Sequence, residues 1–251
     1  MIKTRKIKFF KFNLLLLFLN ITSFTFGQYE TPKSSNDVEI VKHHGFTLSY
    51  SALHKQPLWV AYELDAKKTQ GKIKRSNKFK IDPSILTGSA TLADYKGSGY
   101  DRGHLAPAGD MKWSKKAMDD SFYMSNISPQ VPGFNRGIWK KLESLVRKWA
   151  VENEKIYIAT GPIFRDNPNS IGHSKVTIPS AYYKVVLDYT EPEFKAIGFI
   201  LPNLKSKEHL STYVYTIDKI ESILGVDFFH KLDDNIEALI ESDYNLSNWD
   251  L

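Results

Sequence analysis

The spacing of apolar residues changes several times along the chain, and each change marks an element. Phe46-Thr-Leu-Ser-Tyr50 and Leu58-Trp-Val-Ala-Tyr-Glu63 are apolar or aromatic runs of strand length, separated by the polar, proline-containing segment 51–57. That arrangement predicts a hairpin. Ser114 to Asp120 reads as a short helical turn. From Asn135 the period lengthens: Ile138, Leu142, Leu145, Val146 and Trp149 follow one another at steps of four, three, one and three. These form one apolar stripe on a helix, with Arg147 and Lys148 facing outward. Lys155–Thr160, Val176–Asp188 (interrupted by Pro179) and Phe194–Leu201 are rich in valine, isoleucine and tyrosine, as strands prefer. His209 to Leu224 has helical periodicity through Tyr213, Ile217, Ile220 and Leu224, with Gly225 as the stop. Phe228 and Phe229 are expected in the core. Strands and helices mix without regular alternation, so the predicted class is α+β, a mainly antiparallel sheet flanked by helices.

The N-terminus reads differently. Lys3, Arg5, Lys6, Lys8 and Lys11 precede an apolar run from Leu14 to Phe26 that ends in small residues around Gly27. The pattern predicts a secretory signal peptide over 1–27, because the run is shorter than the ~20 residues of a spanning helix. A flexible lead-in over 28–44 and one domain over 45–251 would follow, secreted or periplasmic, with no stable membrane association after cleavage. The whole chain carries 34 Lys+Arg against 28 Asp+Glu, formally +6, but the first 27 residues hold five bases and no acid. The remainder is 29 against 28, so net charge does not argue for a polyanionic partner and any attraction must be local. With no cysteine there is no disulfide framework, thiolate metal site or lipid-anchored cysteine.

The densest chemistry is Asp101-Arg-Gly-His-Leu-Ala-Pro-Ala-Gly-Asp110. On an extended segment Arg102 and His104 point to one face. A histidine can take a proton from water near neutral pH, and an arginine can grip phosphate oxygens in a fork, a pairing suited to phosphodiester cleavage. Downstream, Asn126-Ile-Ser-Pro-Gln130, Asn135-Arg-Gly-Ile-Trp139 and Lys141-Leu-Glu143 complete a second half. The lysine-rich stretch Ala66–Lys80 reads equally as a phosphate-facing loop or a solvated connection. Trp113 and Trp139 have the chemistry to stack on bases, though the apolar face beside Trp139 favours the core. The histidines at 43, 44, 54, 173, 209 and 230 read as surface or packing residues.

From Gly97 to Trp149 these motifs, in this order, closely resemble the DNA/RNA non-specific endonuclease family. The likeness continues more loosely through Thr160-Gly-Pro-Ile-Phe164, segment 176–187 and Ile220–Phe229, and fades before Lys72. The resemblance implies a ββα-metal (His-Me finger) site, one Mg2+ ion that Mn2+ can replace, and cleavage of DNA and RNA to 5′-phosphorylated fragments. His104 is the expected general base and Arg102 offsets phosphate charge. Arg75 matches a second active-site arginine of the family, Asp101 bonds to an arginine or to water on the ion, and Arg136 and Asn126 join Arg102 in the substrate-facing set. Asn126 is also expected to brace the site through its amide. Asn135 is the expected metal ligand. Glu143 lies eight residues later, about 12 Å along a continuous helix. Either Asn135 sits at the helix start or Glu143 acts through water, and we favour the second. Two rivals stay open: a degenerate, non-catalytic copy of the fold, and a phosphodiesterase for small or lipid substrates, which would need a closed pocket. The sequence leaves the oligomeric state open, a homodimer among the options.

Overall fold

The computed structural model describes residues 28–33 and 38–251, and the expected signal peptide lies outside the described residues. Among the described residues, eleven strands and six α-helices follow in chain order: β1 Glu39–Lys42, β2 Thr47–Ser51, β3 Gln56–Asp65, α1 Ala66–Thr69, α2 Leu92–Tyr95, β4 Asp101–His104, α3 Lys115–Asp120, β5 Ile127–Gln130, α4 Lys140–Glu152, β6 Lys155–Ile163, β7 Ser170–Ile171, β8 Val176–Thr177, β9 Ala181–Asp188, β10 Lys195–Pro202, β11 Val214–Tyr215, α5 Ile217–Leu224 and α6 Asp234–Ser242. The main sheet runs β1-β2-β3-β6-β9-β10-β11, every neighbouring pair antiparallel. The β4-β5 ribbon stands apart from it.

Both faces of the sheet are covered, which is why its central strands read as unbroken apolar runs. On β9, Tyr182 and Val186 enter one core with Trp139, Leu142, Val146 and Trp149 of the α4 region. Tyr183, Val185 and Leu187, one residue out of phase, enter a second core with Ile217 and Ile220 of α5, Ile240 of α6, and Phe228 and Phe229. The alternation follows from the two-residue period of a strand. The catalytic half of the molecule sits on the α4 face.

The predicted hairpin, the helical turn before Asp120, the central strands and the buried Phe228–Phe229 pair are all present. Three expectations are corrected. The flexible lead-in over 28–44 does not hold, because Glu39–Lys42 pairs with β2 and places Val41 in the core. Lys33 is also tied to Asp227 through its backbone N–H (2.9 Å) and its ammonium (3.2 Å). His209–Leu224 is not one helix. A 3-10 turn at Leu210–Tyr213 leads into β11, and α5 begins only after Thr216, whose hydroxyl accepts from the Lys219 N–H. The β-branched Val214 and Thr216 favour that extended interruption. The run 176–188 divides around Pro179 into β8 and β9, as expected. The helix expected from Asn135 is also broken: Phe134–Trp139 forms a wide, π-type turn in which Gly137 leaves helical geometry (φ −106°, ψ −110°), and α4 starts at Lys140.

Candidate active site

The β4-β5 ribbon carries the centre of the site. Register pairs Gly103 with Ser128 and His104 with Ile127. Glycine at 103 is required by packing, since a Cβ there would lie 2.1 Å from Cδ of Gln130. The ribbon is fastened to the main sheet by buried polar groups: Tyr182 donates its hydroxyl to Pro129 O (2.8 Å) and lies 2.6 Å from Ser128 Oγ. Asn203 receives the Val131 N–H (2.9 Å) and donates to Pro129 O (3.1 Å). These bonds fix both the ribbon and the turn that presents Asn135.

Asn126 is completely buried. Its Oδ1 accepts from Ala106 N–H (2.9 Å), and its Nδ2 donates to Ala106 O (3.0 Å) and Ser121 O (2.9 Å). It therefore braces the chain leaving His104, and its expected contact with substrate is corrected, since no part of the amide is left to make one.

His104 is 7% exposed. Its ring meets Phe122 edge-on at 4.8 Å and tilts against Phe79 at 5.5 Å. The same two phenylalanines carry the arginines: Arg102 Cζ lies 4.4 Å from the Phe79 ring and Arg75 Cζ 4.9 Å from that of Phe122. Stacking on aromatic faces restricts the guanidinium planes before anything binds. Nε2 of His104 is buried without a hydrogen-bond partner among the described residues. Burial first, then Arg75 and Arg102, push its pKa down to about 3, so the imidazole is neutral over the physiological range.

Asp101 holds the other side. Arg136 grips it through Nε (2.8 Å) and Nη2 (2.5 Å), and Asn135 donates Nδ2 to it (2.9 Å). Burial would raise the Asp101 carboxyl, but these donors outweigh it and hold the pKa below the ordinary value. Its expected catalytic part thus becomes a positioning one. With Nδ2 engaged, Oδ1 of Asn135 is free to face the cavity that Asn135 lines.

That cavity measures about 460 Å³ and is lined by Arg75, Arg102, His104, Asn135, Arg136, Lys140, Glu143 and Arg147, among others. The break at Gly137 is what lets Asn135 and Glu143 share it. The separation along one straight helix does not apply, and an ion-binding oxygen from each can face the same space. Glu143 sits beside a buried charge cluster: Arg147 donates to Asp110 (2.7 Å), and Tyr62 donates to the other Asp110 oxygen (2.8 Å). Lys184 Nζ lies 4.9 Å from the Trp139 ring. Burial pushes the Glu143 carboxyl up, while Lys184, Arg147 and Arg75 draw it back.

Arg147 turns inward, against expectation. Its position four residues after Glu143 on α4 was the available signal. Phe79, Phe122, Asp110 and Lys184 also went unassigned, because strand and loop residues far apart in sequence give no spacing cue. Trp139 is wholly buried, stacked on Phe134 and near Tyr182. His43 is a buried partner of Asp82 (2.9 Å).

A neutral histidine, stacked arginines and two oxygen donors around an open cavity define a site for attack on a phosphodiester. The sequence profile described as DNA/RNA non-specific endonuclease matches residues 23–235. Nuclease C1 of Cunninghamella echinulata var. echinulata is 37% identical over 223 residues, covering 82% of this chain and 88% of that protein. Human mitochondrial Endonuclease G is 33% identical over 205 residues, covering 76% and 69%. A chain in the crystal structure of an EndoG/EndoGI complex superposes with a TM-score of 0.75 at 30% identity, covering 82% of this chain and 90% of that one. The protein belongs to the DNA/RNA non-specific endonuclease family and is a hydrolase of nucleic acids.

Proposed function

We propose that the protein is an exported, divalent-cation-dependent nuclease that cuts DNA and RNA to fragments bearing a 5′-phosphate. The observation that carries this reading is the convergence of Arg75, Arg102, Arg136, Lys140 and Arg147 with a single acid, Glu143, on the cavity that holds His104. A near-neutral domain thus gathers five cations where the chemistry would occur, of which Arg136 and Arg147 are paired with Asp101 and Asp110 while Arg75, Arg102 and Lys140 face the cavity beside them. Such a surface attracts a polyanion by its phosphates, and phosphate contacts carry no base sequence. Its open form suits a polymer better than the closed pocket a small or lipid phosphodiester would need. The intact pairing of His104 with Asn135 disfavours a degenerate copy of the fold.

In this reading Arg102 and Arg75 hold non-bridging oxygens of the scissile phosphate. The bound phosphate offsets the two guanidinium charges that depress His104, so substrate itself strengthens the base. A ring nitrogen of His104 then takes a proton from the attacking water, the new P–O bond forms, and the bond to the 3′-oxygen breaks. Asp101 keeps Arg136 and Asn135 in place throughout. The donor set available for a cation is Asn135 Oδ1 with the Glu143 carboxylate and no sulfur, which fits a hard ion such as Mg2+ or Mn2+. Once bound, the ion would neutralise charge at the phosphate and at the departing oxygen. Glu143 is proposed to act through water, a role carried by the family resemblance and not by helix separation, since Asn135 lies ahead of α4.

Export rests on the basic and apolar composition of residues 1–27, with the mature chain beginning near Gln28. The decisive experiment degrades plasmid DNA and RNA with purified residues 28–251, with and without Mg2+. Full activity after exhaustive EDTA treatment and dialysis would refute the cation requirement. N-terminal sequencing of the native protein that returned Met1 would refute cleavage.

A further inference from the structure

The α5 and α6 helices cover the face of the sheet opposite α4. There, carboxylate oxygens of Asp218 and Glu221 on α5 and Glu241 on α6 lie within 4.8 Å of one another. Asp218 is exposed, Glu221 half-buried and Glu241 only 4% exposed. After burial, the groups acting most strongly on Glu241 are Glu221, Glu237, Asp218 and Asp227, all acids. Glu221 spends one oxygen on the Phe228 N–H (2.6 Å). Oε1 of Glu241 is buried and has no donor among the described residues.

A buried carboxylate oxygen without a donor, beside two further carboxylates, is costly unless a positive charge completes it. Neighbouring like charges on a helix also repel. The geometry has room for the missing charge. Three oxygens spread evenly around one Ca2+ ion at ~2.4–2.6 Å are ~4.2–4.5 Å apart, so a small turn of the exposed Asp218 side chain brings all three within reach of one ion.

We propose that Asp218, Glu221 and Glu241 form a second divalent-cation site, of the Ca2+ class, that joins α5 to α6 and is separate from the catalytic cavity. The ion would act on stability rather than chemistry, because α5 and α6 lie on the face of the sheet opposite the one that carries α4 and Glu143.

The test is thermal unfolding of residues 28–251, stripped with EDTA, dialysed and titrated with CaCl2. At ~100 times Kd the Tm should rise by about 5–10 °C. Asp218→Asn, at an exposed position where folding is not at risk, should shift the titration midpoint at least ~10-fold upward, as loss of one of three carboxylate ligands implies. Glu241→Gln should abolish the response, because it removes the buried carboxylate that the ion would complete. Asn135→Ala should leave the Ca2+ response in place, which separates the two sites. A wild-type Tm indifferent to Ca2+ would overturn the proposal, as would equal responses in wild type, Asp218→Asn and Glu241→Gln.

Discussion

Replacing Asn126 by alanine isolates what this buried amide does. The substitution removes bonds of 2.9, 3.0 and 2.9 Å and strands three backbone groups: Ala106 N–H, Ala106 O and Ser121 O. Each buried group left unpaired costs ~1–3 kcal/mol. Three neighbouring groups are not additive, and local relaxation or an entering water recovers part of the loss, so a total of about 3–5 kcal/mol is expected. For a domain of this size that corresponds to a fall in Tm of about 6–20 °C. Because the freed segment begins two residues after His104, kcat should also drop, by about 10–100-fold, as when a group that orients an active-site side chain is lost. KM should change little, since the amide meets no substrate. The assay is thermal and urea unfolding, followed by steady-state cleavage well below the variant's Tm. A variant within about 0.5 kcal/mol of wild type, the range of a neutral surface change, but with KM raised severalfold would refute the bracing role and restore substrate contact.

His104→Ala should fold normally and lose ~10²–10⁴-fold in plasmid cleavage, the usual worth of a positioned base; an unchanged rate in a folded variant would remove His104 from the reaction. Asn135→Ala should weaken both metal affinity and turnover more than Glu143→Gln, which keeps one acceptor; metal titration of activity reads this, and the reverse order would exchange their roles. Asp82 gives a stability prediction. Burial would raise its carboxyl, but hydrogen bonds from His43, Ser125 and Ser84 hold it below its ordinary value. A depressed carboxyl contributes stability above its unfolded pKa, about 3.9, and loses it as pH falls through the lower folded value. The Tm of wild type should therefore fall more steeply below about pH 4 than that of Asp82→Asn; parallel profiles would show that the His43–Asp82 contact carries no linkage.

Much of the site was legible because its residues are close in sequence. Arg102 and His104 on one strand, and Asn135 through Glu143 on one turn and helix, carry their relation in their spacing. What was not legible depends on contacts between distant segments. Phe79 and Phe122 support the two arginines from separate stretches, and Lys184 reaches Trp139 from the middle of the sheet. The geometric error at the metal-binding turn came from treating 135–143 as straight. Gly137 was visible, but a glycine in an apolar-periodic stretch signals a weakness without saying that the helix breaks there. In the C-terminal region α6 went unpredicted, although Asp233 caps it and Ile236 and Ile240 give it an inner face. Its apolar positions are too few to stand out without the helix it packs on.

The out-of-phase placement of β9 side chains has a consequence for which sequence changes the chain can survive. A single residue inserted or deleted within Ala181–Asp188 would exchange the two faces from that point onward. A length change ahead of Lys184, which is wholly buried above Trp139, would carry it into the core of Trp59, Ala159, Phe228 and their neighbours and away from Glu143 and Asp110. Tyr182 would leave Pro129, and the ribbon bearing His104 would lose its fastening. Substitutions in this strand are graded in effect, but length changes are all-or-none. The strand acts as a parity check on the reading of the fold: lineages descending from this sequence can lengthen the loops around it freely, while its own residue count stays fixed.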